Sequence, residues 1–158
     1  ALTSIMNRRG ITMALLDAMA QAERYNTPLS LAMADIDHFK RINDQYGHKV
    51  GDKVLIQVAE AMAEVLRMPD KIGRYGGEEF LLVLPHTTLA QGRKLAERLR
   101  TRVDKIRSAV GSKALSPTIS VGVTQFRKSE DLEQFLSRVD QAMYDAKQGG
   151  RNQVVTIS

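Results

Sequence analysis

The segment Arg74-Tyr75-Gly76-Gly77-Glu78-Glu79-Phe80 constrains this chain more than any other stretch. Two glycines separate an extended Ile72–Tyr75 from the apolar run Phe80-Leu81-Leu82-Val83-Leu84, which predicts a β-hairpin. Glycine lets a backbone approach a ligand closely, and the two glutamates place negative charge at that tip. The combination suits a hard divalent cation and the phosphates it carries. Taken alone, the same residues also read as an ordinary solvated turn.

Around the hairpin, helices alternate with strands. Helical spacing runs from Asn7 to about Tyr25 with Ile11, Leu15 and Met19 on one face, and Asn26-Thr27-Pro28 ends it. Leu29 to Asp35 reads as a strand buried on both faces. A short helix is expected from about Phe39 to Tyr46. A second is expected from about Gly51 to Arg67, with Val54/Leu55, Val58, Met62 and Val65/Leu66 inward, stopped at Pro69. Thr88-Leu89-Ala90-Gln91 predicts a capping box opening a helix with Leu95, Leu99, Val103 and Ile106 inward. Ser116–Gln125 reads as a strand. Ser129-Glu130-Asp131 starts a helix that Gly149-Gly150 ends, and Gln153–Ile157 forms a last strand. The methionines at helical spacing read as core filler. The class is α/β or α+β with a central sheet.

Bulk properties narrow the partners. The 158 residues fit one domain with a sizeable core, spanning the whole of 1–158. Hydrophobic residues at 43% and charged residues at 26% are ordinary for a globular protein, and no apolar stretch approaches the ~20 residues of a membrane span. Without cysteine there is no disulfide framework and no thiolate metal site; a reducing cytoplasm fits. The net charge of +5 suits an anionic nucleotide. No aromatic-interleaved basic patch or helix-turn-helix pattern points to nucleic acid, and nothing points to membrane contact.

The carboxylates gain meaning from their neighbours. Asp35 ends Leu29-Ser30-Leu31-Ala32-Met33-Ala34, and is followed by Ile36-Asp37-His38-Phe39-Lys40-Arg41-Ile42-Asn43-Asp44, Tyr46-Gly47-His48 and Gly51-Asp52. With the hairpin in its Glu form, these spacings resemble the GGDEF family of diguanylate cyclases. The opening Leu2-Thr3-Ser4-Ile5-Met6-Asn7-Arg8-Arg9 is similar to that family's first motif. Asp140-Gln141-Ala142-Met143-Tyr144-Asp145-Ala146-Lys147 through Gly150-Arg151-Asn152 is similar to its closing one. Several motifs in the right order, over nearly the whole chain, make the resemblance specific. It implies the nucleotidyl-cyclase fold, a ferredoxin-like mixed sheet wrapped by helices. It also implies condensation of two GTP to cyclic di-GMP with release of two pyrophosphates.

By the same resemblance Asp35 and Glu78 are metal ligands, with the Ile36 carbonyl assisting. The ions are Mg²⁺, with Mn²⁺ the alternative, two per site. Glu79 contacts the ribose hydroxyl or the second metal. Two uncompensated carboxylates at one sheet edge would repel each other, and a divalent ion removes that cost. The backbone of the Asp37–Lys40 loop, with Phe39 and Lys40 opening a helix, is suited to cradle phosphates. Gly76 and Gly77 approach the substrate. Lys147 and Arg151 reach the outer phosphates, although alone they read as a solvated cationic helix end. Guanine shows two adjacent donors on its Watson–Crick edge, which Asp52 can accept with the Asn43 amide nearby; adenine would leave Asp52 unpaired. Asp52 is also placed to cap a following helix. Arg67-Met68-Pro69-Asp70, with five residues between it and Gly76, matches the family's inhibitory product site with Arg98 as third member. Arg stacks on guanine and forks to phosphate, and Asp accepts from a base edge. The plainer reading of Arg67 and Asp70 is a surface ion pair.

Where the family has an Asp two residues before its first Leu, this chain has no residue, and Ser4, Ile5 and Met6 replace the commoner Gly-Leu-Pro. This reads as a fragment of a longer protein with an upstream sensory or dimerising domain. Turnover would need two domains face to face, each offering a 3′-hydroxyl to the other's α-phosphate. The alternative is a catalytically weak module that binds GTP or cyclic di-GMP; the intact carboxylates favour the enzyme.

Overall fold

The computed structural model describes residues 5–158; Leu2-Thr3-Ser4 of the first motif lie outside the described residues. In chain order the elements are β1 (Ile5–Met6), α1 (Arg8–Tyr25), β2 (Leu29–Ile36), α2 (Phe39–Tyr46), α3 (His48–Val65), β3 (Lys71–Arg74), β4 (Glu79–Pro85), α4 (Leu89–Asp104), β5 (Ser108–Val110), β6 (Lys113–Leu115), β7 (Ile119–Gln125), α5 (Leu132–Gln148) and β8 (Val154–Ile157). Six strands form one mixed sheet in the order β1-β3-β4-β2-β7-β8, while β5 and β6 make a separate hairpin. The expected α/β class with a central mixed sheet is the one observed.

Strand periodicity sorts the core into two layers. On β2, Leu29, Leu31 and Met33 join Leu81 and Val83 of β4 against Ile11, Leu15 and Met19 of α1 and Phe135, Val139 and Met143 of α5. The intervening Ala32, Ala34 and Ile36, with Phe80, Leu82 and Leu84, face Val54, Val58 and Met62 of α3 and Leu95 and Leu99 of α4. Side chains two apart share a face, so helices cover both sides and every residue of β2 is buried. Asp35 and Glu79 continue the series that faces α1 and α5. That is why a side chain from the end of α5 can meet them.

Several expectations about element ends need correction. Gly47, at φ 90°, starts α3 at His48, three residues before the expected Gly51, so Asp52 lies inside the helix and cannot be its N-cap. The helix opened by the Thr88 capping box is seen, but it stops at Asp104; Ile106 is buried from the turn beyond it. The last long helix takes Asp131 as N-cap, with its own capping box to Gln134, rather than starting at Ser129. The strand expected from Ser116 begins at Ile119, and the preceding residues form the β5–β6 hairpin around Gly111. Among the described residues no helix is long and apolar enough to cross a membrane.

Candidate active site

The site is assembled by strand register. β2 lies antiparallel between β4 and β7, which sets Asp35 opposite Glu79 on one side and opposite Ser120 on the other. The loop Tyr75–Glu78 joins β3 to β4, and the Ile36 N–H donates to the Glu78 carbonyl at 3.2 Å. The hairpin tip is thereby bonded to the end of the Asp35 strand. Neither Gly76 nor Gly77 has positive φ, so these glycines do not serve a primed two-residue turn. At Gly76 a Cβ would stand 2.6 Å from Glu79 Oε1 and displace that side chain, while one on Gly77 would meet nothing. The Arg74 guanidinium gathers the Gly77 carbonyl at 2.7 Å and the Gly76 carbonyl at 3.3 Å, holding the loop in this bend.

Electrostatics mark the same edge. Asp35 is 4% exposed, and burial pushes its carboxyl up to about 6, reinforced by Glu78 and Glu79 and opposed by Lys147. Lys147 Nζ, from the last turn of α5, sits 2.9 Å from Asp35 Oδ2. Burial also raises Glu79, with Asp140 and Glu78 adding to the shift and Lys147 and Arg8 opposing it. A buried carboxylate at an acidic edge, held by one ammonium, has the oxygen donors and unmet charge that a hard divalent cation requires. Among the described residues no three acidic or histidine side chains already converge as a metal cage. The oxygen groups this edge could offer an ion include the Asp35 carboxylate and that of Glu78, whose backbone carbonyl is bonded to the Ile36 N–H.

The base-reading candidates lie on the neighbouring helix pair. Asn43 of α2 rests on Gly51 of α3 so closely that a Cβ there would be 1.7 Å from Asn43 Oδ1. That buried oxygen has no hydrogen-bond partner among the described residues. Asp52, next to Gly51, is exposed. At the start of α2, His38 is left-handed at φ 56° and supplies no side-chain cap to the first-turn N–H groups, which include Phe39 and Lys40. The Asp37 N–H is not available for a phosphate, because it donates to the Thr118 carbonyl at 2.9 Å.

The remaining predicted residues stand elsewhere. Arg151 is exposed in the turn after α5. Arg67 and Asp70 flank the far end of β4, where Arg67 Nη2 reaches the Pro85 carbonyl at 3.1 Å and Thr87 Oγ1 at 2.8 Å. Six strand steps of ~3.4 Å separate them from Glu79, roughly 20 Å. Asp70 has a fully buried side chain whose oxygens take the Arg67 backbone N–H at 2.9 Å and guanidinium at 3.1 and 3.2 Å. In this arrangement the buried Asp70 orients Arg67. Arg98 is exposed on α4, in a shallow groove it shares with Val65 at the end of α3, two residues before Arg67.

The family model "Diguanylate cyclase, GGDEF domain" matches residues 1–153. The chain belongs to the GGDEF family. Diguanylate cyclase DgcP of Pseudomonas aeruginosa is 44% identical over 153 residues, covering 97% of this chain and 23% of that protein. Among solved structures, the GGDEF domain of DgcB from Caulobacter crescentus in complex with c-di-GMP superposes with a TM-score of 0.93 at 35% identity, covering 99% of this chain and 90% of that one. The active GGEEF domain of a diguanylate cyclase from Vibrio cholerae gives 0.91 at 35% identity, covering 98% of both chains. The chain spans roughly a quarter to a third of the length of the curated relatives it matches.

Three side chains of this GGDEF domain's site carried no assigned role in the sequence. Arg8 lies 4.1 Å from the centre of the Tyr75 ring and donates to the Tyr75 carbonyl at 3.3 Å, bracing the hairpin from α1. Asp140 adds negative charge near Glu79. Asp37 is buried at 5% exposure. Arg8 and Asp140 sit inside quoted motifs, but nothing in the string says which carboxylate each faces.

Proposed function

We propose that this domain is a diguanylate cyclase half-site: it binds one GTP, and two domains face to face join two GTP into cyclic di-GMP, releasing two pyrophosphates. The observation that carries the reading is the pairing of Asp35 with Glu79 across β2 and β4, with Lys147 reaching in at 2.9 Å. That edge has the carboxylates for divalent cations and a cation for a polyphosphate.

Each residue then has a task. Asp35, Glu78 and the Ile36 carbonyl hold Mg²⁺ or Mn²⁺, two ions per site. Bound there, the ions neutralise charge building on the leaving pyrophosphate and ease ionisation of the attacking 3′-hydroxyl. Lys147 turns from Asp35 to the outer phosphates when a stronger cation takes the carboxylate, and Arg151 binds the same phosphates. The first turn of α2, at Phe39 and Lys40, and the close backbone at Gly76 and Gly77 line the phosphate path. Glu79 faces the ribose hydroxyl or the second ion. Each domain presents its substrate's 3′-oxygen in line with the partner's α-phosphate, so orientation supplies much of the rate. The product binds back at Arg67, with Asp70 holding that guanidinium in place and Arg98 the third member, and inhibits turnover.

Specificity rests on Asn43 and Asp52. Gly51 is small because the Asn43 amide occupies its Cβ position, which lets α2 and α3 pack closely beside Asp52. GTP is expected to bind at least ~10²-fold tighter than ATP, and Asp52→Asn to lose roughly ten-fold of that ratio by turning an acceptor into a donor. Competition titrations with both nucleotides check it; equal affinity for GTP and ATP in the parent would reject the guanine assignment. A protein that binds cyclic di-GMP and GTP but never turns over would be the binding module instead.

A further inference from the structure

We propose that Asp37 is a positioning residue that fixes the Arg151–Asn152 turn against the strand carrying Asp35, and so sets where the outer phosphates of the substrate bind. The assignment rests on the reading above that Lys147 and Arg151 hold those phosphates.

Asp37 is two residues beyond Asp35 and 5% exposed, and among the described residues it has no cationic partner in an ion pair. A buried carboxylate is costly unless hydrogen bonds satisfy it. Here Thr118 Oγ1 donates at 2.7 Å, Ser120 Oγ at 2.6 Å and the Asn152 N–H at 3.0 Å. The donors come from the approach to β7, from β7 itself and from the turn after α5. Ser120 is also the register partner of Asp35, so the clamp closes beside the proposed metal carboxylate.

The turn needs holding. Arg151 and Asn152 are consecutive non-glycine residues in the left-handed region, at φ 65° and 44°. Such residues persist where their surroundings fix them. Beside a local bond from Gln153 Nε2 to the Arg151 carbonyl, three contacts do so: the Arg151 N–H donates to the Ala146 carbonyl at 3.0 Å, Arg100 Nη1 donates to Asn152 Oδ1 at 3.1 Å, and the Asn152 N–H donates to Asp37. The first ties the turn to its own helix and the second to α4. The third ties it to the Asp35 strand. Hydroxyls can turn to suit a replacement, but the Asn152 N–H can only donate. Asparagine at position 37 can keep an oxygen towards Asn152 and offer its NH₂ to Ser120 Oγ. Alanine cannot.

The test is calorimetric binding of the non-reacting α,β-methylene analogue of GTP and of GMP, each with Mg²⁺. Asp37→Ala is expected to weaken the triphosphate by at least ~10-fold and GMP by less than ~3-fold, with Asp37→Asn within ~3-fold of the parent for both. In an Arg151→Ala background, Asp37→Ala is expected to cost less than about two-fold more, because the two act as a unit. Equal losses for both nucleotides, or no loss in a folded Asp37→Ala, would overturn the assignment. Should Asp37→Ala fail to fold, Asp37→Ser gives the same comparison. A parent that binds neither nucleotide rejects the GTP reading itself, and this assignment with it.

Discussion

Asp35→Asn is expected to lower cyclic di-GMP formation by roughly 10³-fold or more, while making the metal-free protein more stable at neutral pH. The two effects share one cause. Burial and the adjacent glutamates push the Asp35 carboxyl from 3.8 up to about 6. Between those values the folded state binds more protons than the unfolded one, so stability falls as pH rises through the window and stays lower above it. The Lys147 ion pair offsets only part of that cost. Asparagine mimics the protonated form, so the variant should match the parent near pH 4 and exceed it at pH 7, by about 1–2 kcal/mol after allowance for solvent screening. The ionised group retained at neutral pH is the one a cation needs, and Mg²⁺ affinity in the parent should weaken as pH drops through about 6. Thermal melts of both proteins at pH 4 and 7 in chelator, beside product assays, check the pair of effects. A variant less stable than the parent at pH 7 would remove the electrostatic argument.

Fusing the domain to a dimerising coiled coil is expected to raise turnover per domain by roughly 10²-fold or more at micromolar protein, where tethering supplies a local concentration of about millimolar. Nothing in a single copy brings a second α-phosphate to the 3′-hydroxyl of its own GTP. The proposed reaction is therefore limited by encounter when domains are free. Rate per domain should climb with concentration for the unfused protein and stay flat for the fused one. Equal, concentration-independent rates would mean that one domain suffices and that the face-to-face arrangement is wrong.

How much of this was legible in the string varies with the range of the interaction. β2 was visible because a strand buried on both faces shows an unbroken apolar run. The hairpin was visible because Gly-Gly interrupts such a pattern. The start of α3 was misplaced because Asp52 looks like a cap, whereas Gly47 at positive φ sets the boundary. β5 and β6 were missed because strands of three residues, mostly exposed or half-buried, have too little alternation to register. At the site, residue types were readable and partners were not. Asp35 and Glu79 become neighbours through the order of strands in a sheet, which periodicity does not fix. Asp37 is satisfied by residues 81, 83 and 115 positions away, and no local pattern signals such contacts. Asp70 read as a member of a product site, with a surface ion pair as the plainer alternative; its side chain is wholly buried, which no local pattern signals.

The most direct test of the central claim is a product assay on concentrated protein with GTP and Mg²⁺, nucleotides resolved by chromatography, with Glu78→Ala alongside and both also examined as coiled-coil fusions. The account predicts cyclic di-GMP and pyrophosphate from the parent, more from its fusion, and neither from either Glu78→Ala protein. No cyclic di-GMP from the fused parent, or undiminished product from Glu78→Ala, would contradict it.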